Sequence, residues 1–204
     1  MSLSQWLFAA GYDALDRTVQ RRVKPYRRKT AGRAWGDVLE IGAGTGSNLS
    51  FYPDGVRITA VEPNPHMARR LRRKARALAK DVTIVADVGE RLPFADGSFD
   101  CVVSTLVLCM VDDLTRVVAE ARRVLRPGGE FLFYEHVASP NGPKRWLQNR
   151  LNPLWRFTTT GCNLNRDIGG AIRSAGFKEL EIEDFELSLG LPMTLPNIVG
   201  RAVA

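Results

Sequence analysis

One stretch constrains the fold of this chain more than any other: residues 38–46 form an apolar strand pattern that runs directly into three alternating glycines. Because glycine has no side chain, Gly42, Gly44 and Gly46 allow a tight turn and a close approach of the backbone to a ligand. Glu62 ends the second predicted strand, where a carboxylate can accept hydrogen bonds from both hydroxyls of a ribose. Strand, turn and spaced acid together predict a site for a nucleoside-containing cofactor.

Apolar runs bounded by turn residues recur along the chain and alternate with helical patterns. This alternation predicts an α/β fold with a parallel sheet and crossover helices. Residues 141–160 are punctuated by proline and tryptophan, and no element is predicted there. The predicted strands cover residues 37–41, 57–62, 82–85, 99–104, 130–135, 179–185 and 198–203, and the predicted helices cover 65–80, 112–125 and 166–175.

The chain is predicted to divide into residues 1–34 and residues 35–204. The first part has apolar residues at near-helical spacing, followed by a basic run, which predicts an amphipathic helical segment. Such a segment could make weak peripheral contact with a membrane, or fold as a lid over the cofactor site. The second part is predicted to be one domain, since 204 residues with 45% hydrophobic content match a single soluble α/β domain.

Charge and hydropathy exclude several other classes of protein. The net charge is +7, with basic clusters near the N-terminus and in residues 69–80. Clusters of this kind usually lie on solvated helix faces, so a nucleic-acid partner is disfavoured. There is no apolar run long enough to span a membrane and no signal-peptide pattern. We therefore expect a cytoplasmic protein, and nothing in the sequence indicates an obligate protein partner.

The three cysteines are Cys101, Cys109 and Cys162. None belongs to a Cys-x-x-Cys pair or lies near a histidine at the spacing of metal ligands along the chain. The pattern predicts free thiols and no metal site.

The identity of the nucleoside cofactor is narrowed by two absences and one further acid. There is no Tyr-x-x-x-Lys pair and no room for a separate catalytic domain, as a nicotinamide-dependent dehydrogenase would need. No Gly-Lys-Ser/Thr follows the glycines, which excludes a P-loop. Asp87, directly after the third predicted strand, is suitably placed to bind the amino group of an adenine.

Five motifs in succession resemble those of class I methyltransferases: residues 40–46, Glu62-Pro63, Ala86-Asp87, residues 92–100 and residues 123–129. The resemblance implies a Rossmann-like three-layer α/β/α sandwich, with a mostly parallel seven-stranded sheet and one antiparallel strand. It also implies the cofactor S-adenosyl-L-methionine and the product S-adenosyl-L-homocysteine. Carried over by position, the methionine part would lie against Glu40, Gly42, Gly44 and Gly46, the ribose against Glu62 and Pro63, the adenine against Asp87 and Val88, and the sulfonium beside Thr105 and Leu106.

A closer resemblance covers residues 35–202 and extends beyond the cofactor motifs. The segments 104–109, 135–138 and 161–166 resemble the methyltransferase-like alkyl-thiol methyltransferases. This similarity implies S-methylation of a small, lipophilic thiol. The animal members of that group begin with a hydrophobic membrane anchor, whereas this chain begins with a short amphipathic and basic segment.

Methyl transfer is an in-line displacement, so the enzyme must align a nucleophile and exclude water. A thiol with a pKa near 8.5 is partly ionised at neutral pH, whereas an oxygen or carbon acceptor needs a base. His136, directly after the fifth predicted strand, is the candidate base, with a packing role as the alternative. Aromatic and aliphatic residues of 146–157 either cover the acceptor pocket or pack in the core. The candidate substrate residues are Tyr12, Cys109, His136, Trp155 and Asn163.

Other functions remain open at this point. A quinone, a phenol or a lipid head group could take the methyl group on oxygen or carbon. The basic clusters favour, as a different function, an RNA-modifying methyltransferase, although the tetrapeptide that recognises base amines is absent. A protein that binds S-adenosylmethionine without catalysis is a further alternative, which only turnover would distinguish.

Overall fold

Alternating side chains along the central strands decide how the layers assemble, because neighbours such as Val38 and Leu39 pack on opposite faces of the sheet. In the computed structural model, which describes residues 22–159, 161–188 and 194–204, one seven-stranded sheet has the order β3-β2-β1-β4-β5-β7-β6. The strands are β1 (Asp37–Ile41), β2 (Arg57–Val61), β3 (Val82–Val85), β4 (Phe99–Thr105), β5 (Leu125–His136), β6 (Glu179–Ser188) and β7 (Thr194–Val203).

Helices cover both faces of this sheet. They are α1 (22–29), α2 (Pro65–Ala77), α3 (Leu114–Val124), α4 (Gly142–Thr158) and α5 (Ile168–Ser174). One apolar cluster joins α2 to one face through Leu71 and Ala75, and another joins α3 and α5 to the opposite face through Val117 and Ile172. Strands β1 to β5 pair in parallel, and β7 runs antiparallel to both β5 and β6. The predicted α/β sandwich with one antiparallel strand is confirmed.

The part of the N-terminal segment that the structure describes is helical and packs on the sheet. Val23 is buried, and the ring of Tyr26 stacks on Phe185 and Tyr134 at centroid distances of 4.1 and 5.0 Å. Residues 1–21, with Tyr12, lie outside the described residues. The assignments of this segment as a lid or as a membrane contact stay predictions. No helix within the described ranges is long and apolar enough to cross a membrane.

Most predicted boundaries are off by a few residues, and the two largest differences are at α4 and β5. Helix α4 occupies a segment where no element was predicted. The prediction missed it because Pro143 lies in its first turn, Pro153 lies inside it, and only Gln148 is buried along it. Its sequence therefore has no continuous apolar stripe of the kind that indicates a helix. Strand β5 begins at Leu125 instead of 130, with a register shift against β4 between Phe99 and Cys101.

Candidate functional site

A cavity of about 510 Å³ opens at the carboxyl ends of the strands, where the strand order reverses between β1 and β4. Ligands of open α/β sheets bind at such a switch point. Nine of the ten residues predicted to bind the cofactor line it: Glu40, Gly42, Gly44, Glu62, Pro63, Asp87, Val88, Thr105 and Leu106. The tenth, Gly46, is not among the lining residues; a Cβ there would come within 2.7 Å of Leu71, so packing beneath the turn requires its glycine.

The other two glycines of the turn serve different purposes. Both have positive φ angles, 63° at Gly42 and 57° at Gly44, which disfavour other residues. A Cβ on Gly42 would lie 2.1 Å from Cγ2 of Val107, so this glycine lets the turn pack against the loop after β4. A Cβ on Gly44 would have no atom within 4 Å. Gly44 therefore presents bare backbone to the cavity.

Glu62 joins the glycine turn to the start of α2. Its Oε2 accepts a hydrogen bond from the backbone N–H of Gly44 at 2.8 Å, and its Oε1 accepts one from Asn64 at 2.8 Å. Burial raises the pKa of the carboxyl, and these two hydrogen bonds oppose the rise. Each oxygen retains a further lone pair for a hydroxyl in the cavity.

Glu40 is held in a buried polar network that reaches α1. Asn48 donates to its Oε1 at 2.9 Å, Tyr52 donates to its Oε2 at 3.0 Å, and Arg27 donates to Oδ1 of Asn48 at 2.6 Å. Asn48 also donates to Oγ1 of Thr105 at 3.1 Å. Sequence reasoning missed Arg27 and Asn48, since one arginine in a basic cluster carries no distinguishing signal. The network links the N-terminal helix to the cofactor cavity.

This buried carboxyl predicts a pH-dependent stability. Burial raises the pKa of Glu40 from 4.5 to about 7, so between these values the folded chain binds more protons than the unfolded chain. The contribution of this residue to the free energy of unfolding then falls as pH rises through that window. We expect the wild type to lose stability relative to Glu40→Gln from pH 4.5 to about 7, measured by urea unfolding at each pH. A constant difference between the two proteins would contradict this expectation.

The turn after β4 forms the floor of the cavity and carries a strained residue. Leu106 has a φ of 56°, an uncommon conformation for a side chain other than glycine. Glu135, fully buried on β5, fixes the turn: it accepts hydrogen bonds from Ser104 at 2.6 Å, from Val107 N–H at 3.1 Å and from Leu108 N–H at 3.2 Å. Burial raises the pKa of Glu135 to about 7. Its part in shaping the floor has no local sequence signal.

Behind this turn the fold assembles a cluster of sulfur and imidazole groups. Nε2 of His136 lies 3.0 Å from Sγ of Cys162, which lies 3.4 Å from Sγ of Cys109 and accepts a hydrogen bond from Nε1 of Trp155 at 3.3 Å. The hydrogen bond between Cys162 and Cys109 and the neighbouring His136 lower the pKa of Cys162, against the effect of burial. Burial lowers the pKa of His136, but the contact with Cys162 outweighs it and raises the pKa.

The predicted substrate residues thus fall into two sets. Cys109, His136 and Trp155 meet in this cluster, whereas Asn163 donates to the carbonyl of Cys109 from both its backbone and its side chain, at 2.9 and 3.0 Å. Asn163 therefore holds a loop. None of these four residues lines the cofactor cavity among the described residues. Their proximity was not predictable from spacing, because the cluster spans residues 109–162.

The large apolar residues of α4, predicted either to cover the acceptor pocket or to pack in the core, differ in their burial. Trp155 packs against the cluster, but other large side chains of α4 point to solvent, with exposures of 62% for Trp146 and 84% for Phe157. Leu147 and Leu151 are exposed as well. A covering role for these four residues is not seen among the described residues, because α4 turns that face away from the core.

Comparisons with known proteins agree with this geometry. A family model described as a methyltransferase domain matches residues 39–133. Over 170 residues the chain is 41% identical to human thiol S-methyltransferase TMT1B, covering 81% of this chain and 70% of that protein. It also resembles the crystal structure of the YcgJ protein of Bacillus subtilis, with a TM-score of 0.72, 21% identity, and coverage of 90% and 98% of the two chains.

A second solved structure shares the fold and was determined with a cofactor product. The chain resembles phosphoethanolamine N-methyltransferase 2 of Haemonchus contortus, in complex with S-adenosylhomocysteine, with a TM-score of 0.72 and 15% identity. That match covers 96% of this chain and 57% of the other. At such identities, the two solved structures support the fold alone.

Proposed function

Since the chain belongs to the class I S-adenosylmethionine-dependent methyltransferases, in the group that contains the thiol S-methyltransferases, we propose that it methylates the sulfur of a small, apolar thiol. The enzyme class and the cofactor follow from the family. The identity of the acceptor is the proposal, and it is supported by the 41% identity to human thiol S-methyltransferase TMT1B, in a match that covers 81% of this chain.

The cofactor cavity is suited to S-adenosylmethionine. Its volume of about 510 Å³ lies within the range of small-molecule sites, roughly 300–1,000 Å³. Gly44 leaves space for a ligand against the backbone, and Glu62 has lone pairs available for two ribose hydroxyls. The lining has five acidic residues and one arginine, which favours a ligand with cationic groups: Glu40, Glu62, Asp87, Glu90, Asp112 and Arg27.

We assign the predicted contacts accordingly. Glu40, Gly42 and Gly44 would hold the methionine part, Glu62 and Pro63 the ribose, Asp87 and Val88 the adenine, and Thr105 and Leu106 the region of the reacting atoms. When bound, the cofactor supplies a methyl group activated by the positive sulfonium. The chain contributes alignment and the exclusion of water, for which the rigid turn at Leu106, fixed by Glu135, is suited.

A thiol fits the environment of the acceptor side better than a phenol or an alcohol. Nε2 of His136 is engaged with Cys162, so it is not free to take a proton from an acceptor. A thiol is partly ionised at neutral pH without a dedicated base, whereas an alcohol is not. The role of His136 as a general base stays a prediction.

The test compares matched acceptors with radiolabelled S-adenosylmethionine. We expect an alkyl thiol to be methylated at least about 100-fold faster than the alcohol with the same carbon skeleton, because only the thiol ionises appreciably near pH 7. Thiophenol and phenol form a second matched pair, and a quinol tests the oxygen acceptors.

Faster turnover of phenol or quinol than of either thiol would contradict the thiol proposal. Tight binding of S-adenosylmethionine with no turnover of any acceptor would instead point to a binding protein without catalysis.

A further inference from the structure

The cluster of Cys109, His136 and Cys162 brings together three side chains that bind metals in proteins. Cys109 follows β4, His136 ends β5, and Cys162 lies between α4 and α5, so three separate segments converge. Sγ of Cys109, Sγ of Cys162 and a ring nitrogen of His136 all lie within 4.8 Å of one another. The expectation of no metal site rested on spacing along the chain, which cannot detect residues that meet only after folding.

The separations suit one ion held between the three groups. Zinc bonds to thiolate sulfur at about 2.3 Å and to imidazole nitrogen at about 2.0–2.1 Å in a tetrahedral arrangement, which places its ligand atoms roughly 3.3–3.8 Å apart. Two of the three separations, 3.0 and 3.4 Å, would widen by a few tenths of an ångström to admit the ion, and the third, between Cys109 and His136, is within 4.8 Å. Sulfur and imidazole donors without a carboxylate favour zinc over magnesium or calcium.

The groups around the cluster hold its ligands in place. Trp155 donates to Cys162, and Asn163 donates twice to the carbonyl of Cys109, which ties the loop of Cys162 to the turn after β4. Hydrogen bonds from surrounding groups to the ligating residues orient those residues for metal binding. Val107 and Met110, which flank Cys109 in the sequence, line the cofactor cavity, so the cluster adjoins its wall.

We propose that Cys109, His136 and Cys162 bind a zinc-class divalent cation, and that the open fourth position of this site takes the sulfur of the acceptor. Three protein ligands with one open position are typical of catalytic zinc sites, including those with two cysteines and one histidine. The part concerning the acceptor rests on the proposed function. A coordinated thiol loses its proton to solvent; its sulfur then forms the new bond to the methyl carbon while the bond from that carbon to the sulfonium breaks.

In this arrangement His136 is a metal ligand and not a base. The variant His136→Gln distinguishes the two roles. Loss of a base would slow the methylation of phenols more than that of thiols, whereas loss of a ligand would remove metal binding and slow the methylation of thiols.

The first experiment titrates the full, reduced and metal-free chain with cobalt(II), whose visible spectrum reports tetrahedral thiolate ligation. We expect one equivalent to bind and zinc to displace it. Loss of a residue that only hydrogen-bonds to a metal ligand already weakens metal affinity by about 10- to 100-fold. Loss of a ligand itself, in Cys109→Ser, Cys162→Ser or His136→Gln, should therefore weaken cobalt binding by at least about 100-fold.

Cys101→Ser is the matched control, since Cys101 is buried in the other core cluster, on the opposite face of the sheet. It should retain the spectrum. Circular dichroism identifies variants that do not fold. The titration of the wild type tests the metal site even if such variants have to be left out. Absence of the cobalt spectrum in the wild type, or the same spectrum in all three ligand variants, would overturn the site.

The second experiment adds an alkyl thiol to the cobalt-loaded chain without S-adenosylmethionine. We expect the thiol to shift the spectrum and the matched alcohol to leave it unchanged; an unshifted spectrum would overturn binding at the fourth position. Methylation of thiols by a chain that binds no cobalt would refute the metal site and leave the proposed function intact. A thiol-sensitive cobalt spectrum without turnover of any thiol would support the site and refute the function.

Discussion

Replacing Gly44 with valine is expected to abolish binding of S-adenosylmethionine while the chain remains folded. A Cβ at this position has no protein atom within 4 Å, so a side chain would project into the cavity and occupy space needed by the ligand. The positive φ adds a strain of roughly 1–3 kcal/mol for a β-branched residue, which lowers the melting temperature of a chain of this size by several degrees. Titration calorimetry with S-adenosylmethionine and S-adenosylhomocysteine, together with thermal unfolding, measures both effects.

Gly42→Ala is the matched control, because its defect should be one of folding. Its Cβ would lie 2.1 Å from a methyl carbon of Val107, and its φ is also positive. We expect a larger loss of stability than in Gly44→Val, although the side chain is smaller. Undiminished cofactor affinity in Gly44→Val would show that the ligand does not approach this turn.

Replacing Glu62 with glutamine is expected to weaken S-adenosylmethionine binding by about 10- to 100-fold or more, since each hydrogen bond to a charged group contributes roughly 1.5–3 kcal/mol. Glutamine has nearly the same shape, but it lacks the charge and has only one acceptor oxygen in place of two. Part of the loss would come from the bonds that Gly44 and Asn64 donate to this carboxylate. Calorimetry measures the affinity, and thermal unfolding measures the loss of stability that comes from the weakened bonds to Gly44 and Asn64.

Glu179→Gln provides a control of the same chemistry on β6, at the edge of the sheet and away from the cavity. It should bind the cofactor as the wild type does. Equal affinity in Glu62→Gln and Glu179→Gln would remove Glu62 from the proposed ribose site.

Short-range patterns predicted the parallel half of the fold well, and packing between distant segments explains what they missed. Strands β1 and β3 have the predicted bounds, because each is an apolar run ended by turn residues. The presence of one antiparallel strand came from the family resemblance, and only the structure identifies it as β7, since no local pattern states which strands are neighbours. Helix α4 escaped prediction because it is exposed on nearly every side.

The cofactor side of the site was predictable for a related reason. Its residues lie at the ends of consecutive strands, so each belongs to a short motif in the sequence. The supporting groups do not: Arg27 reaches Asn48 across the interior, and Glu135 binds a turn some 28 residues away in the sequence. The cluster around Cys162 likewise depends on tertiary contacts alone.

The left-handed conformation of Leu106 is retained at a cost in strain that glycine would relieve, roughly 1–2 kcal/mol. Leucine, however, also packs against the apolar cluster of Val23, Tyr134 and Val199, and glycine would lose that contact and loosen the turn proposed to lie beneath the reacting atoms. Because the relief of strain and the loss of packing oppose each other, Leu106→Gly should change the melting temperature little while it slows turnover. A strained leucine is thus compatible with selection for both stability and activity at this turn.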